Sequence, residues 1–249
     1  MNILYYGNLL QDGLRRLGHT LFTVPPDPHA DIEAVIAAAP APVDMVLIEL
    51  WRTFLPARLE RCPVPLAAWC VDSSLNEFWH MPCAPLFDHV FVDQQDSVTR
   101  YARQGIKAHW LPFFAQIGDF RPCDTRKEYD LVFVGRTPPE RTKRNNILRL
   151  LQQYFTFPVV EGLSVREMSD LFARSKVVLN ENFFSGLTAR VFQGMAACSL
   201  VFTEAGGVGV ADVFADGKHL VCYDSSTIVV SRAANALSPC PASTTSAIW

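Results

Sequence analysis

Short apolar runs rich in β-branched and aromatic residues alternate with longer amphipathic stretches along nearly the whole chain. The runs at 1–6, 43–48, 66–71, 89–92 and 108–111 read as strands, and helical spacing marks 10–17, 31–39 and 96–104. None of these strands alternates strictly between apolar and polar residues. Both of their faces are therefore buried, and strand–helix–strand order with such strands implies a parallel sheet covered on both sides. The pattern lapses over 114–127, where Gly118, Arg121-Pro122 and the polar run 124–127 read as a linker. It then resumes, with strands at 129–134, 155–160, 177–180, 200–203 and 219–222 and helices near 138–153, 165–175, 187–198 and 209–215. The expected organisation is two Rossmann-like α/β units facing a cleft, 1–115 and 129–230, joined by a linker at 116–128. Residues 231–249 carry one arginine, no acidic side chain and no clear helical stripe, and are expected to be a disordered tail.

Composition narrows the function classes. The 249 residues carry 22 basic and 25 acidic side chains, a net charge of −3, which argues against a nucleic-acid partner needing a basic stripe. The most apolar stretch, 35–50, is interrupted by Pro40, Pro42, Asp44 and Glu49, so no membrane span is expected. The N-terminus reads as a strand rather than a signal peptide. The cysteines at 62, 70, 83, 123, 198, 222 and 240 form no C-x-x-C pair, which points to reduced, mostly buried thiols and a cytoplasmic protein. The histidines show no metal-ligand spacing, so no metal site and no cofactor are expected.

In open parallel sheets ligands bind beyond the carboxyl ends of the strands, so chemistry is sought just after each one. After YDLVFVG comes RTPPERTKR, where Thr137, Pro138 and Glu140 match the N-cap, first-turn and capping-box positions of a helix. Five basic residues and one acidic residue fall between Arg136 and Arg149. Cations in a first helical turn oppose the macrodipole unless an anion binds there. Gly135, Arg136, Lys143 and Arg144 thus suggest a diphosphate site, while an Arg144–Glu140 pair on a solvated face is the plainer reading. In LNENFFSGLTARVFQGMAACSLVFTEAGG, Arg190 and Gln193 lie three apart on one helix face, after Asn180 and before Gly206 and Gly207. That run lacks the G-x-G-x-x-G spacing and reads equally as turn glycines and a packed helix. In AWCVDSSLNEFWH, Asp72 follows a strand and Glu77 and His80 come a few residues later, so an acid/base pair is possible, though a strand-end Asp is also an ordinary cap and a His beside Trp79 is commonly packed.

In order, VDSSLNEFWH, FDHVFVDQQDSVTRYARQGIKAHWLPF, YDLVFVGR with its basic helix, SKVVLNEN, ARVFQGMAACSLVFTE and VFADGKHLVCYD resemble the CgeB-like glycosyltransferases of the GT-B fold, over roughly residues 43–227. The resemblance implies transfer of a sugar from a nucleotide-sugar donor, which is a substrate and not a cofactor, to an unknown acceptor. It places the donor mainly on the second unit, at Gly135, Arg136, Lys143, Arg144, Asn180, Arg190, Gln193, Gly206 and Gly207. A helix N-terminus and basic side chains, rather than a metal, would stabilise the departing diphosphate. Asp72 or His80 would be the acceptor-side base of an inverting reaction. Two departures stand out. Relatives have Glu where this chain has Gln193, and an amide accepts weaker bonds from ribose hydroxyls than a carboxylate. The tail also lacks the helices with which the fold normally continues, so the C-terminal portion is expected to be incomplete. Rival readings are a catalytically impaired nucleotide-sugar binding or scaffolding protein and a sugar-nucleotide epimerase of the same fold.

Overall fold

The computed structural model describes residues 1–25, 27–51, 55–116, 118–120, 126–182, 186–224 and 226–237. The chain divides into two compact units, Met1–Gln116 and Ile117–Trp249. The first contains β1 (Asn2–Tyr6), α1 (Gln11–Arg16), β2 (Thr20–Thr23), α2 (Ile32–Ala37), β3 (Met45–Leu50), β4 (Leu66–Cys70), α3 (Ser73–Cys83), β5 (His89–Val92), α4 (Gln95–Arg103) and β6 (Ala108–Trp110). These strands form a parallel sheet in the order β2-β1-β3-β4-β5-β6, with Ile3 in register with both Leu21 and Met45. Period-two alternation sends Leu4, Tyr6, Ile48 and Ala68 into one core layer with Ile32 and Tyr101, and Ile3, Tyr5, Leu47 and Ala67 into the other.

The second unit contains β7 (Tyr129–Val134), α5 (Thr142–Gln152), β8 (Val159–Val160), α6 (Val165–Ala173), β9 (Ser175–Leu179), α7 (Ala189–Ala196), β10 (Leu200–Glu204), α8 (Val210–Val213), β11 (Val221–Tyr223) and α9 (Ser226–Leu237). Its strands are parallel in the order β11-β10-β9-β7-β8. Leu131, Phe133, Leu179, Phe202 and Tyr223 of the sheet pack against Ile147 and Leu151 of α5 and Val229 and Ala233 of α9. Helix α7 lies close on the sheet because Gly194 faces Val178 and Val201; a side chain there would meet them at 2.9–3.2 Å. In each unit the chain leaves its first strand toward one neighbour and returns on the other side. The switch points therefore lie between β1 and β3 and between β7 and β9.

Several boundaries differ from those read in the sequence. Helix α5 starts at Thr142, so the capping box at Thr137 does not form. Pro139 disfavours helical backbone at Pro138, and a turn closed by Arg141 N–H donating to the Pro138 carbonyl (3.0 Å) fills the gap. Strands β2 and β8 and helix α3 are additional or shorter elements. The tail boundary at 231 is also corrected, because α9 runs through it to Leu237 with Val229 and Ala233 buried against α5 and β11. Residues 238–249 of that tail lie outside the described residues. So do Cys123 and Cys240; among the described cysteines Cys70 is buried and Cys198 exposed, and none is paired.

Candidate functional site

At the switch point of the second unit, Gly135 follows β7 and Asn180 follows β9, and Arg190 joins the two. The Arg190 guanidinium donates through Nε to the Val134 carbonyl (2.8 Å) and through Nη1 to Asn180 Oδ1 (2.9 Å), while lying over the Phe133 ring at 4.7 Å. Gly135 lies against this group, and a Cβ there would overlap Arg190 Nη2 and force the guanidinium to shift. Asn180 is fully buried and its amide is saturated. Its Oδ1 also accepts from Thr188 Oγ1 (2.7 Å), and its Nδ2 donates to Thr203 Oγ1 (2.9 Å) and Asn182 Oδ1 (2.7 Å). Asn180 therefore orients Arg190 and has no bond left for a ligand.

The basic helix converges on the same place. Buried Arg144 donates through Nε to Glu181 Oε2 (2.8 Å) and through Nη1 to the Arg136 carbonyl (2.7 Å), so its partner is Glu181 and not Glu140. The Lys143 ammonium sits 3.2 Å from Glu181 Oε1 and 2.9 Å from Glu204 Oε2, and donates to the Asn182 carbonyl (3.1 Å). Burial works against the lysine charge, but the two carboxylates outweigh it and raise its pKa above the ordinary value. Arg136 is exposed. Helix α5 has no side-chain cap on its first turn.

Cations crowd this edge. Burial first and the neighbouring Arg144 second push the Arg190 pKa down to about 10, and burial together with Arg144 and Arg136 lowers that of Arg141. An arginine disfavoured by burial and by a neighbouring cation is stabilised by an anion placed beside it. Gln193, one turn after Arg190 on α7, is half-buried. Gly206 and Gly207 form the turn just after β10, where Gly206 adopts a left-handed φ of +74° with open space around it. Glu181, Glu204, Thr188, Thr203 and Asn182 were not singled out in the sequence. The one available signal was their position, since Glu181, Asn182 and Glu204 end or follow strands.

The first unit is arranged differently. Glu49, at the end of β3 and 2% exposed, turns its carboxylate into the loop after β1. It accepts from the backbone N–H of Asn8 (2.9 Å), Leu9 (2.9 Å) and Leu10 (2.9 Å) and from the Tyr5 hydroxyl. Gly7 lacks the Cβ that would collide with it. Asp93, fully buried after β5, likewise accepts from the N–H of Asp72 (2.9 Å) and Ser73 (2.8 Å) at the start of α3. Burial raises its pKa against the opposing pull of those hydrogen bonds. Asp72 is half-buried with a left-handed φ of 50° and does not cap α3 through its side chain.

His80 is a core residue, which corrects its reading as a catalytic base. It is 0% exposed, packs edge-on against Trp79, and its Nε2 lies 2.8 Å from the Leu50 carbonyl. A carbonyl only accepts, so Nε2 carries the proton. Burial pushes the His80 pKa down to about 4, leaving a neutral ring that no substrate reaches. Among the described residues no group of three or more His, Cys, Asp or Glu is placed to hold a metal ion, and no helix is long and apolar enough to cross a membrane.

Two parallel Rossmann-like sheets of this kind are the GT-B architecture, and solved structures of that fold superpose on nearly the whole chain. An α-glucosyltransferase in complex with UDP and a 13-mer DNA matches with a TM-score of 0.64 at 7% identity, covering 95% of this chain and 89% of that one. The DNA-modifying enzyme β-glucosyltransferase matches with a TM-score of 0.64 at 12% identity, over 96% of this chain and 88% of that one. Sucrose-phosphate synthase from Thermosynechococcus elongatus matches with a TM-score of 0.57 at 10% identity, over 93% and 88%. Residues 121–240, within the second unit, match the family described as Glycosyl transferase-like. No curated protein matches the sequence significantly.

Proposed function

We propose that the chain is a glycosyltransferase that takes a nucleotide sugar as donor and holds its diphosphate at the carboxyl ends of β7 and β9. The observation that carries this reading is the gathering of Arg136, Arg141, Lys143, Arg144 and Arg190 at that switch point, where burial first and neighbouring arginines second hold Arg141 and Arg190 below their ordinary pKa. Arg144 and Arg190 are locked by Glu181, Val134 and Asn180 and act as the fixed positive floor. Arg136 and Lys143 are exposed and are the groups that meet the phosphates. Preorganised cations of this kind stabilise the charge that builds on a departing diphosphate, so the reaction as read here runs without a metal. The resemblance to CgeB-like enzymes, the match of residues 121–240 to a glycosyltransferase-like family and the GT-B fold support the same reaction class. A net charge of −3 weighs against nucleic acid as the acceptor, and the thiol chemistry favours a cytoplasmic setting. Asp72 is the acceptor-side base on an inverting route.

A second reading, a nucleotide-sugar binding protein with little turnover, is favoured by Gln193, whose amide replaces a carboxylate at the ribose position implied by the resemblance. Calorimetry with a panel of nucleoside diphosphates, followed by donor turnover assays, separates the two. Arg136→Ala is expected to weaken diphosphate binding by about tenfold, and Gln193→Glu to strengthen it by roughly 1–3 kcal/mol. Binding unchanged by Arg136→Ala refutes the diphosphate site. Tight binding with no sugar transfer or donor hydrolysis selects the second reading.

A further inference from the structure

Three carboxylates in this protein occupy the same kind of position. Each is borne at or just beyond the end of one strand and accepts backbone N–H groups from the loop after the adjacent strand. Glu49 does this for the loop after β1, Asp93 for the loop after β4, and Glu204 for the loop after β9, where its Oε2 accepts from Asn182 N–H at 2.9 Å. Glu49 and Asp93 are sealed, at 2% and 0% exposure. Glu204 differs in two respects: its side chain is 18% exposed, and it also holds the Lys143 ammonium, itself 55% exposed, at 2.9 Å. Beside it, Asn182 is 5% exposed and its Nδ2 has no hydrogen-bond partner among the described residues, a donor lacking an acceptor.

Resting on the diphosphate reading above, we propose that Glu204 is a competing carboxylate of the donor site. It occupies the lysine and the backbone donor that an incoming phosphate oxygen takes, and must give them up when the diphosphate binds. After transfer it reclaims Lys143 and helps expel the product diphosphate. Glu181 does not share this role, because it is buried and tied to Arg144. Glu204 thus lowers the resting affinity of the site for anions and shortens their residence.

The test is isothermal titration of the full chain with inorganic pyrophosphate, which needs no choice of base. Glu204→Gln keeps an oxygen for the Asn182 N–H but removes the charge, and is expected to tighten pyrophosphate binding about fivefold, the size of a partly exposed ion pair. Unchanged or weaker binding by a folded Glu204→Gln variant overturns the proposal. Should that variant not fold by circular dichroism, Glu204→Ser carries the same expectation. Loss of folding in both makes Glu204 a structural residue and also overturns the proposal. Arg136→Ala and Lys143→Ala in the otherwise native chain keep the two readings apart. If they weaken pyrophosphate binding while Glu204→Gln fails to tighten it, the diphosphate site stands and the competing carboxylate falls. If neither weakens it, the diphosphate reading itself fails.

Discussion

The switch points of the two sheets share a topology and differ in charge. In the first unit the loop after β1 wraps its N–H groups around the buried Glu49 carboxylate, so its capacity to bind an anion is spent internally. In the second, the carboxylate just after β9, Glu181, is held by the side chains of Arg144 and Lys143; the Arg190 guanidinium lies over Phe133, and Lys143 and Arg136 are exposed. The backbone of a parallel sheet offers similar donors at every carboxyl edge, and the side chain supplied by the neighbouring strand decides whether the edge is a structural joint or a ligand site.

Breaking the joint in the first unit should have the largest effect. Glu49→Ala strands three N–H groups and the Tyr5 hydroxyl, and is expected to cost about 3–5 kcal/mol of unfolding free energy in urea titrations. A loss under 1 kcal/mol would remove the contrast between the two edges. In the second unit Gly135→Ala drives a methyl into the Arg190 guanidinium and is expected to cost about 2 kcal/mol, with diphosphate binding falling in parallel. Normal affinity in a folded Gly135→Ala variant would show that Arg190 does not organise the edge.

The smallest of these effects is a pH dependence. His80 has a folded pKa of about 4 against 6.5 unfolded, so the unfolded chain binds the extra proton between those values. Stability from this residue is complete above pH 6.5 and is lost as the pH falls toward 4, by about 1 kcal/mol between pH 7 and 5.5. Thermal unfolding of wild type and His80→Gln at the two pH values checks this: the loss should be smaller in the variant, and an equal loss would place a titratable, exposed ring at position 80.

Much of the fold was legible because buried parallel strands write themselves as apolar runs, and β5 and β7 fall at the residues expected. The short edge strand Thr20–Thr23 has no buried residue and left no such run. Helix α3 begins with Ser-Ser after a left-handed Asp72 and carries Pro82 within it, which hid its periodicity. The proposed site drew notice in the sequence through its cations, five basic residues against one acidic residue between Arg136 and Arg149. Their division of labour was not legible, because it depends on Glu181, Glu204 and Asn180, ordinary polar residues in sequence that become partners only when β9 and β10 are laid beside β7. His80 was misleading for the converse reason: a strand-end motif suggested chemistry, and burial against Trp79 and the Leu50 carbonyl made it core.

Hydrogen–deuterium exchange of the full chain with and without saturating pyrophosphate tests the donor edge most directly. Slower exchange is expected in 135–144 and 180–182, with 8–10 and 72–73 unchanged because their N–H groups are already held by Glu49 and Asp93. Protection confined to 8–10, or none in the second unit under saturation, would contradict a diphosphate site built on β7 and β9.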